Sequence, residues 1–142
     1  AKLLVLAGAK IEAKDEGGGT PLQCCAARGF GRLARMLVAH GANVNAKNHE
    51  ADGLTVLMAA VSRRGGSSLA KVLLDKGAFV NASTTGGQTA LMTAAGSGDV
   101  ECAKVLIEAG ANVGARTKDG KTALDFATEN GQKGMVAFLK AK

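Results

Sequence analysis

A threonine followed by a small or apolar residue and then a leucine recurs four times along the chain. The copies are Thr20-Pro21-Leu22, Thr55-Val56-Leu57, Thr89-Ala90-Leu91 and Thr122-Ala123-Leu124, at intervals of 35, 34 and 33 residues. Gly-Ala pairs beginning at Gly8, Gly41, Gly77 and Gly110 form a second ruler, with intervals of 33, 36 and 33. The two agree on a period of 33 once two extra residues are allowed between Lys47 and Thr55 and one more in the Arg63–Ser68 stretch. A fixed period of this kind points away from one globule with a unique core, because each unit is too small to bury its own apolar face and must stack on its neighbours. Composition agrees. The 142 residues are 46% apolar but include no Trp, no Tyr and only four Phe, so the core must be built from Ala, Leu, Val and Gly in thin, closely approaching elements. The longest uncharged apolar run, Leu3 to Ala9, falls far short of the roughly 20 residues of a membrane span.

Within a unit, side-chain chemistry predicts two short antiparallel helices. Thr20 is a good N-cap, Pro21 suits a first turn, and Gln23 three residues after Thr20 can complete a capping box. The first helix carries Leu22, Cys25 and Ala26 on one side and ends near Arg28-Gly29. A second helix places Leu33, Met36 and Leu37 on a shared face, stops at Gly41, and yields to an extended Asn43-Val44-Asn45-Ala46 segment. Leu69, Val72 and Leu73, and later Val105 and Leu106, repeat this face.

The unit Thr-Pro-Leu-x-x-Ala-Ala…Gly…Leu-Leu…Gly-Ala-x-Val-Asn-Ala resembles the ankyrin repeat. The resemblance rests on Thr20-Pro21-Leu22-Gln23-Cys24-Cys25-Ala26, Gly41-Ala42-Asn43-Val44-Asn45-Ala46, Gly77-Ala78-Phe79-Val80-Asn81-Ala82 and Gly110-Ala111-Asn112-Val113. It implies an all-α solenoid of stacked helix-turn-helix units with short β-hairpin fingers, and a concave surface made of fingers and first helices. Residues 1–142 are then one domain: a partial repeat at 1–14, full repeats at 15–47, 48–83 and 84–116, and a C-terminal capping repeat at 117–142. Ala1 aligns with Ala34, so the chain is expected to be a monomeric fragment of a longer array that opens inside a second helix. The signal-like Leu3-Leu4-Val5-Leu6 becomes the core face of a broken repeat. Lys133 and Lys140 stand where the previous unit has Val100 and Ile107, which reads as a solvated closing face. The family's histidine after Thr-Pro-Leu, which ties neighbouring turns together, is replaced by Gln23, Met58, Met92 and Asp125. Fingers without that brace are expected, loosest around Asn48–Gly53.

Other motifs dissolve into the repeat. Ala115-Arg116-Thr117-Lys118-Asp119-Gly120-Lys121-Thr122 fits a relaxed phosphate-loop pattern, but Gly120-Lys121-Thr122 is in register with Gly53-Leu54-Thr55 and Gly87-Gln88-Thr89, and no buried strand precedes it. Gly17-Gly18-Gly19 lacks the strand and the later glycine of a dinucleotide loop, and reads as a finger tip. Asn81-Ala82-Ser83 is a glycosylation acceptor pattern with meaning only in a secreted chain. Three cysteines, Cys24, Cys25 and Cys102, are an odd number and read as small reduced thiols, which favours an intracellular, reducing setting in the cytoplasm or nucleus. Neither His40 nor His49 has partners at zinc-site spacing, and no catalytic set can be assembled by spacing; no cofactor, metal or enzymatic activity is expected. The net charge of +6 is spread so that no unit exceeds +2, which with the scarcity of aromatics argues against a nucleic-acid binder.

The expected function is therefore non-catalytic binding of another protein. The alternatives are diffuse electrostatic contact with nucleic acid or acidic lipid, or service as the regulatory domain of a larger enzyme. Binding should use residues the repeat leaves free to vary: Glu16, Gly17, Gly19, Ala27 and Arg28; Glu50, Asp52, Leu54, Ser62 and Arg63; and Thr85, Gln88, Ser97, Lys118, Lys121, Glu129 and Asn130. Leu54 is expected to be an exposed apolar anchor rimmed by arginines, replaceable by Ala within about 0.5 kcal/mol of the original stability.

Overall fold

A computed structural model describes residues 19–48, 53–62 and 66–141. Among them are eight helices in four antiparallel pairs: α1 (Pro21–Arg28) with α2 (Gly31–Ala39), α3 (Val56–Val61) with α4 (Ser67–Asp75), α5 (Ala90–Ser97) with α6 (Val100–Glu108), and α7 (Ala123–Glu129) with α8 (Lys133–Lys140). Strands β1 (Lys47–Asn48) and β2 (Leu54–Thr55) form a two-stranded antiparallel hairpin ahead of α3, and a single antiparallel bridge between Ser83 and Thr89 marks the same place ahead of α5.

The repeated threonine starts every first helix. Its Oγ1 accepts the backbone N–H three residues on: Gln23 at 3.3 Å, Met58 at 3.2 Å, Met92 at 3.4 Å and Asp125 at 3.4 Å. Each bond satisfies one of the donors that a helix start leaves unpaired. Three second helices stop in the same way. Gly41, Gly77 and Gly110 take left-handed φ values of 91°, 94° and 99°, and the alanine after each donates to the carbonyl five residues back, on Leu37, Leu73 and Leu106 at 3.0 Å. That is a Schellman closure, and a side chain at those glycines would strain it.

Packing follows the period. First helices stack on first helices (α1 on α3 on α5 on α7) and second on second, while each pair also packs internally. Leu22, Cys25 and Ala26 are buried as the sequence implies, and all six residues of α3 are buried, which places the middle of the core there. The second-helix face is rotated from the expected one. Ala34, Leu37 and Val38 are buried, whereas Leu33 and Met36 are only half-buried; in α4 the buried set is Leu69, Ala70 and Leu73, with Val72 at the margin. The alanines at 34, 70 and 103 are fully enclosed, because close approach of neighbouring helices selects the smallest side chain rather than the most apolar.

The expected loss of bracing between fingers is corrected at Gln23. This side chain, only 7% exposed, accepts from Thr20 N–H through Oε1 at 2.9 Å, and its Nε2 donates to the Ala46 and Leu54 carbonyls at 3.0 and 3.1 Å. An amide holds two donors and an acceptor, enough to close its own helix cap and to tie both strands of the next finger's base. At Met58 and Met92 no such donor exists, and Met92 Sδ accepts only from Thr89 N–H at 3.4 Å. Residues 49–52, where the finger was expected to be loosest, lie outside the described residues.

A second brace, absent from the sequence reading, uses the asparagines that close each Gly-Ala-x-Val-Asn stretch. Asn45 Nδ2 donates to the Gly77 carbonyl at 3.1 Å while its Oδ1 accepts from Phe79 N–H at 2.8 Å. Asn81 does the same one unit later, to the Gly110 carbonyl at 3.1 Å and from Asn112 N–H at 2.7 Å. Gly114 holds the corresponding place in the next unit and has no side chain to continue the ladder.

Candidate functional site

The fingers before α5 and α7 share one backbone scheme. In the finger before α5, Thr84 N–H donates to the Gln88 carbonyl at 2.9 Å, Gly87 N–H to the Thr84 carbonyl at 2.9 Å, and Thr84 Oγ1 accepts Gln88 N–H at 3.2 Å. Thr117, Gly120 and Lys121 reproduce all three bonds ahead of α7, at 2.9, 2.9 and 3.2 Å. Lys118 N–H also donates to the Gly86 carbonyl at 2.9 Å, joining the two fingers through backbone. At Gly87, with φ of 87°, an added Cβ would come within 3.1 Å of the Thr117 Cα, so the glycine is what lets the fingers touch. The Gly120-Lys121-Thr122 stretch is thus a finger turn running into a helix cap, as its register implied.

Two side-chain contacts fix the relation between fingers and first helices. Gln88 Nε2 donates to Thr93 Oγ1 at 3.1 Å, and Lys121 Nζ pairs with Glu129 Oε1 at 2.9 Å. Gln88 and Lys121 occupy the same place in successive units, Gln88 reaching the first turn of α5 and Lys121 the last residue of α7, so finger base and first helix are tied together in both layers. The Glu129 carboxylate, by its hydrogen bond and then its charge, raises the Lys121 ammonium above its ordinary pKa.

Of the residues expected to bind a partner, Ala27, Arg28, Ser62, Thr85, Lys118, Glu129 and Asn130 are exposed, and Gln88, Ser97 and Lys121 are half-exposed. Several already hold internal partners. Ser62 Oγ donates to the Ala59 carbonyl at 2.7 Å, Ser97 Oγ to the Ala94 carbonyl at 3.0 Å, and Asn130 Nδ2 to the Phe126 carbonyl at 2.7 Å. Two members are corrected. Gly19 is buried and offers no surface, and Leu54 is not an exposed anchor: it is half-buried, packs against the core, and its carbonyl is held by Gln23. Glu16, Gly17, Glu50, Asp52 and Arg63 lie outside the described residues. Applying the period four residues past each threonine would have added Cys24, Ala59, Thr93 and Phe126, of which Cys24, Thr93 and Phe126 are part-exposed.

Two of the three thiols are buried and held in their protonated form. Burial pushes the Cys25 thiol up against the opposing pull of Arg28, and Cys102, enclosed and hydrogen-bonded to Asp99, is pushed up to about 12. No disulfide joins Cys24, Cys25 or Cys102. Among the described residues no three His, Cys, Asp or Glu side chains converge as metal ligands would, and no helix is long and apolar enough to cross a membrane. Asn81 of the glycosylation-like triplet has its amide nitrogen engaged at Gly110.

A family model described as ankyrin repeats (3 copies) matches residues 1–84 and again 81–142. No curated protein matches the chain at a significant level.

Proposed function

The chain belongs to the ankyrin-repeat family, whose members are generally protein–protein interaction modules, and from this premise we propose that it binds a partner protein through its fingers and first helices without catalysis. The observation that supports the reading most directly is the paired contact Gln88–Thr93 and Lys121–Glu129. These bonds align finger and first helix in successive layers, so variable side chains share one continuous strip. The fold is specified elsewhere, by the threonine caps, the asparagine clasps and the buried leucines, which frees strip positions to be chosen for recognition.

Register makes the strip small-sided at one end and bulkier at the other. Ala27, Ser62 and Gly96 stand where the last unit has Glu129, and Gln88 stands where it has Lys121. A partner can therefore approach the backbone closely along the first three layers and meet Lys121, Glu129 and Asn130 at the fourth. Affinity purification from cells followed by mapping with Ser62→Arg, Gly96→Arg and Lys121→Glu tests this. Each change lies on the strip, and each is expected to reduce capture of the same partner at least tenfold with the melting temperature nearly unchanged. Retention of that partner by all three variants would overturn the proposal. A steep loss of binding to a DNA or heparin column between low and moderate salt, without a protein partner, would favour the electrostatic reading.

A further inference from the structure

Five of the six arginines, Arg28, Arg32, Arg35, Arg63 and Arg64, fall in the first half of the chain, and no Asp or Glu occurs between Glu16 and Glu50. Net charge per unit conceals this segregation. Three of the five, Arg28, Arg32 and Arg35, surround the turn from α1 to α2, at the opposite end of the helix pair from the fingers' threonine caps. Arg35 is held by Ser68, its Nη2 donating to Oγ at 2.8 Å, while Arg28 and Arg32 are exposed and make no ion pair among the described residues.

Between them stands Phe30, 52% exposed, at the N-cap of α2. Phenylalanine forms no side-chain cap bond there, as Gly66 and Gln132 form none before α4 and α8, whereas Asp99 in the same place before α6 accepts Cys102 N–H at 3.2 Å. A missing cap costs about 0.5–2 kcal/mol. What sets this position apart is the exposed phenyl ring, an apolar group of the kind that marks an interaction site. Beside the ring lies an open hollow of about 430 Å³, with Leu33 and Met36 among its walls and Arg32 at its edge.

We propose that this turn is a second docking surface, adjoining the finger strip at Arg28, that takes a protein segment presenting one bulky apolar side chain flanked by carboxylates. The apolar residue enters the hollow against Phe30, Leu33 and Met36, and the carboxylates meet the Arg28 and Arg32 guanidiniums, which have no acidic partner among the described residues. An aliphatic floor distinguishes this occupant from a phosphate backbone, which has nothing to place there. The competing occupant is the chain's own segment before Gly19.

The test is selection of a random peptide display library on the whole chain, with Phe30→Asp and Arg32→Glu as the discriminating variants. Expected peptides carry acidic residues around one large apolar residue, bind at least tenfold more weakly to either variant, and weaken as salt rises. Phe30→Asp restores the missing cap, so the proposal also requires its melting temperature to hold or rise. A clear fall in melting temperature would show that Phe30 is packed by its own chain and overturn the proposal. So would peptides without the acidic-apolar pattern, peptides indifferent to both variants, or Phe30-dependent binding to duplex DNA or to phosphatidylserine vesicles in their place.

Discussion

Gln23 carries more of the structure than its place in the repeat suggests. Three hydrogen bonds leave one buried amide, and two of them reach carbonyls 23 and 31 residues away. Truncation would leave the Ala46 and Leu54 carbonyls and the Thr20 N–H short of partners, each at a cost of roughly 1–3 kcal/mol where water cannot reach. Gln23→Ala is therefore expected to destabilise by about 2–4 kcal/mol in denaturant titration, while Gln23→His, which can still donate, loses less. Sequence reading marked this position as a lost brace because it compared residue names; the bond needs only a donor of the right reach. Leu54 shows the converse error. Its finger position suggested exposure, yet the side chain leans on the core, so Leu54→Ala should cost about 1 kcal/mol rather than behave as a neutral surface change. Cys102 gives a pH signature. Its thiol pKa lies above the ordinary 9.0, at about 12, so the unfolded chain loses this proton first as pH rises. The stability it contributes is complete below pH 9 and is lost between pH 9 and 12. Cys25 and Lys121 are shifted in the same direction, so Cys102→Ala should flatten, without abolishing, the fall of melting temperature across that window.

At the level of elements, the caps were legible and the contacts between units were not. Thr20, Thr55, Thr89 and Thr122 act locally, on a backbone N–H three residues away, and local chemistry can be read along the chain. The rotated face of the second helices was hidden because Ala34, Ala70 and Ala103 carry little hydrophobic signal, although no larger side chain fits their enclosure. The asparagine clasps were hidden for another reason. Asn45 and Asn81 look like ordinary turn residues until the next unit's backbone arrives to meet both ends of the amide. Replacing Asn81 by Asp keeps the acceptor for Asn112 N–H but turns the donor toward Gly110 into a second acceptor facing a carbonyl. Asn81→Asp is expected to destabilise by about 1–3 kcal/mol, comparable with Asn81→Ala, because repulsion replaces a lost bond. If Asn81→Asp melts like the original chain, the clasp contributes nothing. Of the candidate site, the exposed residues at first-helix ends followed from period alone, whereas the pairing of Lys121 with Glu129 required two elements to be placed side by side.

Across the whole molecule, stability should be graded along the stack. In a solenoid each unit is held by its neighbours, so coupling between layers decides whether unfolding is concerted. The middle is strongly coupled: α3 is wholly buried, and clasps from Asn45 and Asn81 lie on either side of the second full helix pair. The last layer is joined differently. Among the described residues no asparagine clasp reaches it and α8 touches α6 only lightly, so apart from the close packing of α7 on α5 the layer is tied by the Lys118 N–H to Gly86 carbonyl bond and by Gln132 Nε2 donating to the Gly96 carbonyl at 3.2 Å. Leu124, Val136 and Phe138 are only partly covered there. Amide exchange is therefore expected to be slowest in α3 to α6 and distinctly faster in α7 and α8. Leu73→Ala, made at a fully enclosed side chain, should lower global stability by about 2–5 kcal/mol and accelerate exchange throughout. Leu139→Ala should act locally, accelerating exchange in α7 and α8 while the middle helices keep their protection. If Leu139→Ala instead loosens α3 to the same extent, the layers unfold as one unit, and the finger strip cannot yield at one end while staying rigid at the other.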